Sequence, residues 1–154
     1  MKTILALSIA VLSLIAGIVH ADKYTESDVR QAIEGAAKQL PIQMDTYTQV
    51  TAMYMAGPKN LIYRYAFDIE KFTEEVARQA SVTPEKIYEL RGGRERWANL
   101  IAEQEVAPFL LRQTCSVPFQ RDLLTDGYRF EYQTFDNQGT FLFKSTVDRL
   151  GCGF

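Results

Sequence analysis

Apolar residues recur every three or four positions in some stretches of the chain and alternate with polar ones in others, and these two textures divide it into elements. Val29, Ala32, Ile33, Ala36, Ala37 and Leu40 share one helical face, which predicts a helix over 26–39. Thr25-Glu26-Ser27-Asp28 fits a capping box at its start, and Pro41 stops it. From 44 to 56 the texture turns to Thr, Tyr, Val and Met, and after Gly57-Pro58-Lys59-Asn60 the run 61–67 is again rich in aromatic and branched residues. Two such runs around a Gly-Pro turn predict an antiparallel hairpin.

Glu, Ala, Lys, Arg and Leu dominate from 69 to 113, a helical composition. Thr83-Pro84 is a helix start and Gly92-Gly93 a break, so the stretch should form pieces near 70–80, 84–91 and 94–112, with Pro108 working against the far end of the last. A short helix should run from Ser116 through Leu124 and close at Gly127. The residues 128–135 alternate aromatic and polar, Asp136-Asn137-Gln138-Gly139 turns, and 140–147 returns as a second hairpin. Tyr128, Phe130, Tyr132 and Thr134 should share the core face, with Glu131 pointing the other way. Strands at both ends with helices before and between give an α+β expectation: an antiparallel four- to five-stranded sheet, helices packed on one face, one disulfide.

The first residues change the picture of where the protein works. Met1-Lys2, an apolar block to Val19, and Val19-His20-Ala21 before Asp22 have the layout of a secretory signal cleaved after Ala21. An uncleaved anchor is the alternative, because the block approaches the length of a membrane span. The expected organisation is a signal peptide over 1–21 and one periplasmic domain over 22–154. Cleavage would remove His20, the chain's only histidine. Without it no Ser/His/Asp or Cys/His nucleophile can be assembled, and neither a zinc site nor any other cofactor is implied. The mature domain carries a net charge of about −3 with both signs interspersed, which gives no footprint for nucleic acid or for an anionic membrane.

Two cysteines remain, Cys115 and Cys152. An exported chain with an even count pairs them, closing a loop of about 37 residues worth on the order of 3–4 kcal/mol; the competing reading, a reactive thiol, lacks a neighbouring base. Neither cysteine lies near the leader, so a lipoprotein cysteine is missing there and any tether would be the leader itself.

The candidate chemistry is sparse. Glu74, Glu75, Glu103, Glu105 and Glu131 could supply a carboxylate pair for glycoside hydrolysis, though acids on helices rich in Arg and Lys more often form a solvated face. The run Arg91-Gly92-Gly93-Arg94-Glu95-Arg96-Trp97 reads as a phosphate- or single-strand-binding loop, as a helix break whose tryptophan packs inward, or as an arginine fork for a partner's carboxylates. Tyr54, Met55, Tyr63 and Tyr65 are core residues or, if one sheet face is uncovered, an apolar interaction patch. The partner-binding candidates are therefore Tyr54, Met55, Tyr63, Tyr65, Arg91, Arg94 and Trp97.

Cys115, Arg121-Asp122-Leu123-Leu124, Gly127-Tyr128-Arg129-Phe130, Asp136-Asn137-Gln138-Gly139 and the closing Cys152 resemble, in order and spacing, the β-class type II secretion pilotins and related small periplasmic proteins of Gram-negative bacteria. The first hairpin is compatible with the family's opening, and the helical stretch 69–104 is longer than its pattern. The resemblance implies a periplasmic α+β domain with one disulfide and a groove for a partner segment. Pilotins of this kind are lipoproteins that escort a secretin subunit. Lacking the lipid-bearing cysteine, this chain is expected to act as a pilotin-like or secretion-accessory protein that binds a protein or peptide partner without a lipid anchor and without stable membrane insertion. An inhibitor or immunity-type protein of a periplasmic enzyme shares that architecture and remains open, as does a carboxylate-dependent cell-wall hydrolase.

Overall fold

The computed structural model describes residues 24–153. The expected signal peptide, its cleavage after Ala21 and His20 lie outside the described residues. Helix α1 (Glu26–Ala37) begins on a reciprocal cap: the Asp28 N–H donates to Thr25 Oγ1 at 3.2 Å and the Thr25 N–H to Asp28 Oδ2 at 3.0 Å. A two-residue strand β1 (Ile42–Gln43) follows, then the hairpin β2 (Thr48–Met55) and β3 (Asn60–Phe67). Helices α2 (Ile69–Ala80) and α3 (Pro84–Arg91) are capped by Asp68 and Thr83. Gly92 and Gly93, at φ 80° and 101°, then reverse the chain into α4 (Arg94–Ile101).

Pro108 does not end this helical stretch. A π-helical turn (Ala102–Val106) follows α4, its five-residue spacing closed by the Ala107 N–H on the Ala102 carbonyl, and α5 (Ala107–Ser116) restarts there. Pro108 thereby occupies the first turn of α5, where a missing N–H costs nothing. Helix α6 (Pro118–Thr125), β4 (Arg129–Asp136) and β5 (Phe141–Val147) complete the order.

The expected α+β architecture forms, with a five-stranded sheet in the order β1-β2-β3-β4-β5. Every pairing is antiparallel except β3–β4, which runs parallel in unbroken register from Asn60↔Arg129 to Phe67↔Asp136. The helical connection α2–α6 is long enough to carry the chain back to the end of the sheet where β3 began, which a tight hairpin cannot do.

Helices α1, α5 and α6 press Val29, Ile33, Leu110, Leu123 and Leu124 onto one sheet face, against Val50, Leu61, Tyr63, Tyr65, Phe130, Tyr132 and Val147. A second apolar cluster joins Phe67 to Ile69, Ala77, Ile87, Trp97 and Ile101 of α2–α4. Removing Phe130, fully buried at the centre, would cost about 3–5 kcal/mol. Cys115 at the end of α5 is bonded to Cys152 beyond β5, which staples the helical layer to the last strand.

Candidate functional site

Strand alternation separates the four candidates of the first hairpin. Tyr63 and Tyr65 face the helices, 8% and 7% exposed, and their rings pack on Tyr132 at 5.6 and 6.0 Å. Burial pushes both phenols well above their ordinary range, and Tyr132 with them, so all three stay neutral. Met55 is half-buried against the same cluster, whereas Tyr54, one residue earlier, is 37% exposed on the opposite face. These residues therefore do not share one surface.

That opposite face carries a polar chain of side chains. The Arg64 Nε–H donates to Gln133 Oε1 at 3.2 Å, the Gln133 amide donates to Glu131 Oε1 at 2.6 Å, and Lys144 Nζ lies 3.7 Å from Glu131 Oε2. Arg64 also covers the Phe135 ring at 5.3 Å. Glu131 is thus engaged by its neighbours, while Glu74 and Glu75 stand on α2, where Glu75 pairs with Arg78, and Glu103 and Glu105 stand on the π-helical turn.

The arginine-rich run is a helix break with an internal tie. Trp97 is 9% exposed, and its indole N–H donates to Thr73 Oγ1 at 3.0 Å. Arg91 sits over the same ring at 5.3 Å, on the solvent side. Arg94 spends its fork on the chain's own carboxylates, Glu70 at 2.7 Å and Asp136 at 2.9 Å. The side chain of Asp136 is almost fully buried. Its Oδ1 also accepts the N–H groups of Gln138 at 2.9 Å and Thr140 at 2.8 Å, so one carboxylate shapes the β4–β5 turn and docks α4. Burial works to raise its pKa, but the Thr140 N–H, Arg94 and the Gln138 N–H together hold it below the ordinary aspartate value.

A concave feature among the described residues sits elsewhere. Because β3 and β4 are parallel, both begin at one end of the sheet, where β2 and β5 finish. The turn Pro58–Lys59–Asn60, the α6–β4 junction Gly127–Tyr128–Arg129 and the exit segment Asp148–Arg149–Leu150 converge there on an open cleft of about 380 Å³. Its floor is fixed by the Arg129 N–H donating to the Lys59 carbonyl at 2.8 Å. The Lys59 ammonium donates to the Asp126 carbonyl and lies 5.6 Å from the Tyr128 ring centroid. Arg129 Nε–H reaches Asn60 Oδ1 at 3.4 Å, and Leu150 stands 85% exposed at the rim. Sequence reasoning passed over Lys59, Arg129 and Arg149: each reads as a turn or solvent-facing residue, and only the parallel pairing brings them together. Among the described residues no group of His, Cys, Asp and Glu could hold a metal, and no helix is long and apolar enough to cross a membrane.

Structural comparison places this arrangement. The pilotin EpsS of the Vibrio vulnificus type II secretion system superimposes with a TM-score of 0.59, over 84% of this chain and 92% of that one, at 12% identity. The fold is pilotin-like. The type II secretion pilotin AspS of Vibrio cholerae matches at a TM-score of 0.51 and 11% identity, covering 82% of this chain and 91% of its own. A candidate secreted protein from Pseudomonas aeruginosa gives 0.54 and 14%, over 86% of this chain and 99% of that one. No protein-family model and no curated protein sequence matches the chain. At these identities the pilotin-like relationship is one of fold.

Proposed function

We propose that this chain is an exported, non-enzymatic binding protein of the periplasm, a secretion-accessory component that holds a protein or peptide partner. The observation that carries the reading is the pilotin-like fold, matched over more than four-fifths of the chain. Two features of the surface support it. Strand β5 is a full-length edge whose outer side pairs with no strand among the described residues, and Phe141 on it is 54% exposed. An extended partner segment could add there by backbone pairing. Glu131 and Glu75 are taken up by Lys144 and Arg78, and both cysteines are occupied by their bridge.

Affinity capture tests this directly. Purified protein immobilised and exposed to periplasmic extract should retain a secretion-system protein that survives a moderate salt wash and is identified by mass spectrometry. Recovery of no protein partner, together with hydrolysis of cell-wall material by the same preparation, would overturn the proposal.

A further inference from the structure

The cleft at the strand ends carries a charge opposite to that of the chain as a whole. Of the residues that line it, Lys59 and Arg129 are the cations that face the opening and Asp148 is the carboxylate, with Arg149 already engaged, on a protein whose net charge is −2. We infer that this cleft receives an extended acidic peptide segment of the partner protein, with carboxylates on Lys59 and Arg129 and an apolar side chain on Leu150. The inference rests on the partner-binding reading above and adds the chemistry of the partner.

The cations are positioned before any ligand arrives. Lys59 occupies a left-handed backbone conformation, φ 58°, at the tip of the β2–β3 connection, and its ammonium is held by the Asp126 carbonyl and the Tyr128 ring. An ammonium has three donors, so this anchor leaves hydrogen-bonding capacity for a carboxylate. Asn60 holds the Arg129 guanidinium at Nε, which steadies the fork beside it. Side chains fixed in this way lose little freedom on binding, the usual drain on affinity at polar surfaces. Asp148, the opposing acid, turns Oδ1 to the Gly151 N–H at 2.9 Å and so shapes its own turn.

The cleft's dimensions and its rim select a peptide over a lipid surface. A volume of about 380 Å³ falls in the range of pockets that enclose a small ligand or a few side chains, roughly 300–1,000 Å³. A bilayer is met instead by a broad basic face, not by a concavity. Leu150 at the rim offers an apolar contact immediately beside the charges, as an acidic segment with interspersed leucines would require. The wall that carries Leu150 ends at Cys152, so the disulfide to α5 keeps the cleft's third side in place.

The test uses a fluorescein-labelled peptide Leu-Glu-Asp-Leu-Glu-Asp and its Gln/Asn counterpart, read by fluorescence anisotropy against the purified protein. The acidic peptide should bind at least about tenfold more tightly, and should weaken several-fold between about 50 and 300 mM salt, as screened charges do. The double variant Lys59→Gln with Arg129→Gln should lose about tenfold in affinity, Lys59→Arg should retain it, and Leu150→Asp, at an exposed position where folding is not at stake, should weaken it by repulsion. Equal affinity for the two peptides, an unchanged double variant of native circular dichroism, or binding to phosphatidylglycerol vesicles with none of the acidic peptide would overturn the assignment. Capture from periplasmic extract separates the two levels. A partner held equally by the wild type and the double variant removes the cleft and leaves the binding function standing. A wild type that captures nothing yet binds the acidic peptide leaves the cleft's chemistry standing and removes the periplasmic partner.

Discussion

Replacing Asp136 by alanine removes the polar tie between the β4–β5 turn and α4. The substitution frees the N–H groups of Gln138 and Thr140 and takes one carboxylate from Arg94 in a site where Asp136 is 3% exposed. Each of the two part-buried hydrogen bonds to the carboxylate is worth about 1 kcal/mol, since the freed N–H groups of the exposed turn can turn to water, and the ion pair adds only about 1 kcal/mol because the Arg94 side chain is 37% exposed and screened, giving about 3 kcal/mol in all. For a domain of about 130 residues that loss lowers Tm by roughly 10–15 °C. Asp136→Asn keeps one acceptor oxygen and should lose about half as much. Urea unfolding followed through Trp97, the only tryptophan, reads both.

The pH dependence supplies a second check on the same residue. Its carboxyl pKa lies below the unfolded value, near 3.9 for aspartate, so its stabilising effect is complete above that value and is lost as pH falls through the folded pKa. The stability gap between wild type and Asp136→Asn should therefore be widest near neutrality and shrink at acid pH. A deficit under about 1 kcal/mol for Asp136→Ala at pH 7, or a gap to Asp136→Asn that does not change with pH, would refute this account of the turn.

Three further outcomes follow from the same structure. Cys115→Ser paired with Cys152→Ser releases a 37-residue closure and should cost on the order of 3–4 kcal/mol, read by urea midpoint, while non-reducing intact mass of the wild type should be two hydrogens below the reduced value. Thr73→Val removes the buried acceptor for the Trp97 indole and should cost about 1–3 kcal/mol, with the tryptophan emission shifted accordingly. Of the eight tyrosines, Tyr63, Tyr65 and Tyr132 should stay silent in an absorbance titration until the protein unfolds. Their raised folded pKa values mean that the stability they lend is whole below about pH 10 and falls away as alkali approaches the folded values.

Local rules carried most of the element boundaries. The Thr25 cap, the Thr83-Pro84 start, the Gly92-Gly93 break and the period-two alternation of 128–135 each reflect interactions within a few residues, and each element appears where those interactions put it. Pro108 was harder to read, because the π-helical turn that accommodates it is a feature of five residues acting together. Alternation also limits what a list of aromatic residues can say. Tyr54 and Met55 are adjacent in sequence and stand on opposite faces, and Tyr63 and Tyr65 fall on the face that the helices cover. The tie from Arg94 to Asp136 spans 42 residues, and nothing in either residue's neighbourhood announces the other.

The parallel pairing of β3 and β4 is the step at which local reading gives way to topology, and the cleft depends on it. In a run of simple hairpins β4 would begin at the far end of the sheet, and Arg129 would stand a strand's length, roughly 25 Å, from Lys59. The helical crossover instead returns the chain to the same end, so that Asn60 and Arg129 are register partners and the exit of β5 closes the third side. The same crossover holds Cys115, and through it the disulfide fixes that exit. A hollow that sets Lys59 beside Arg129 is therefore the product of one long connection, the helical crossover between β3 and β4.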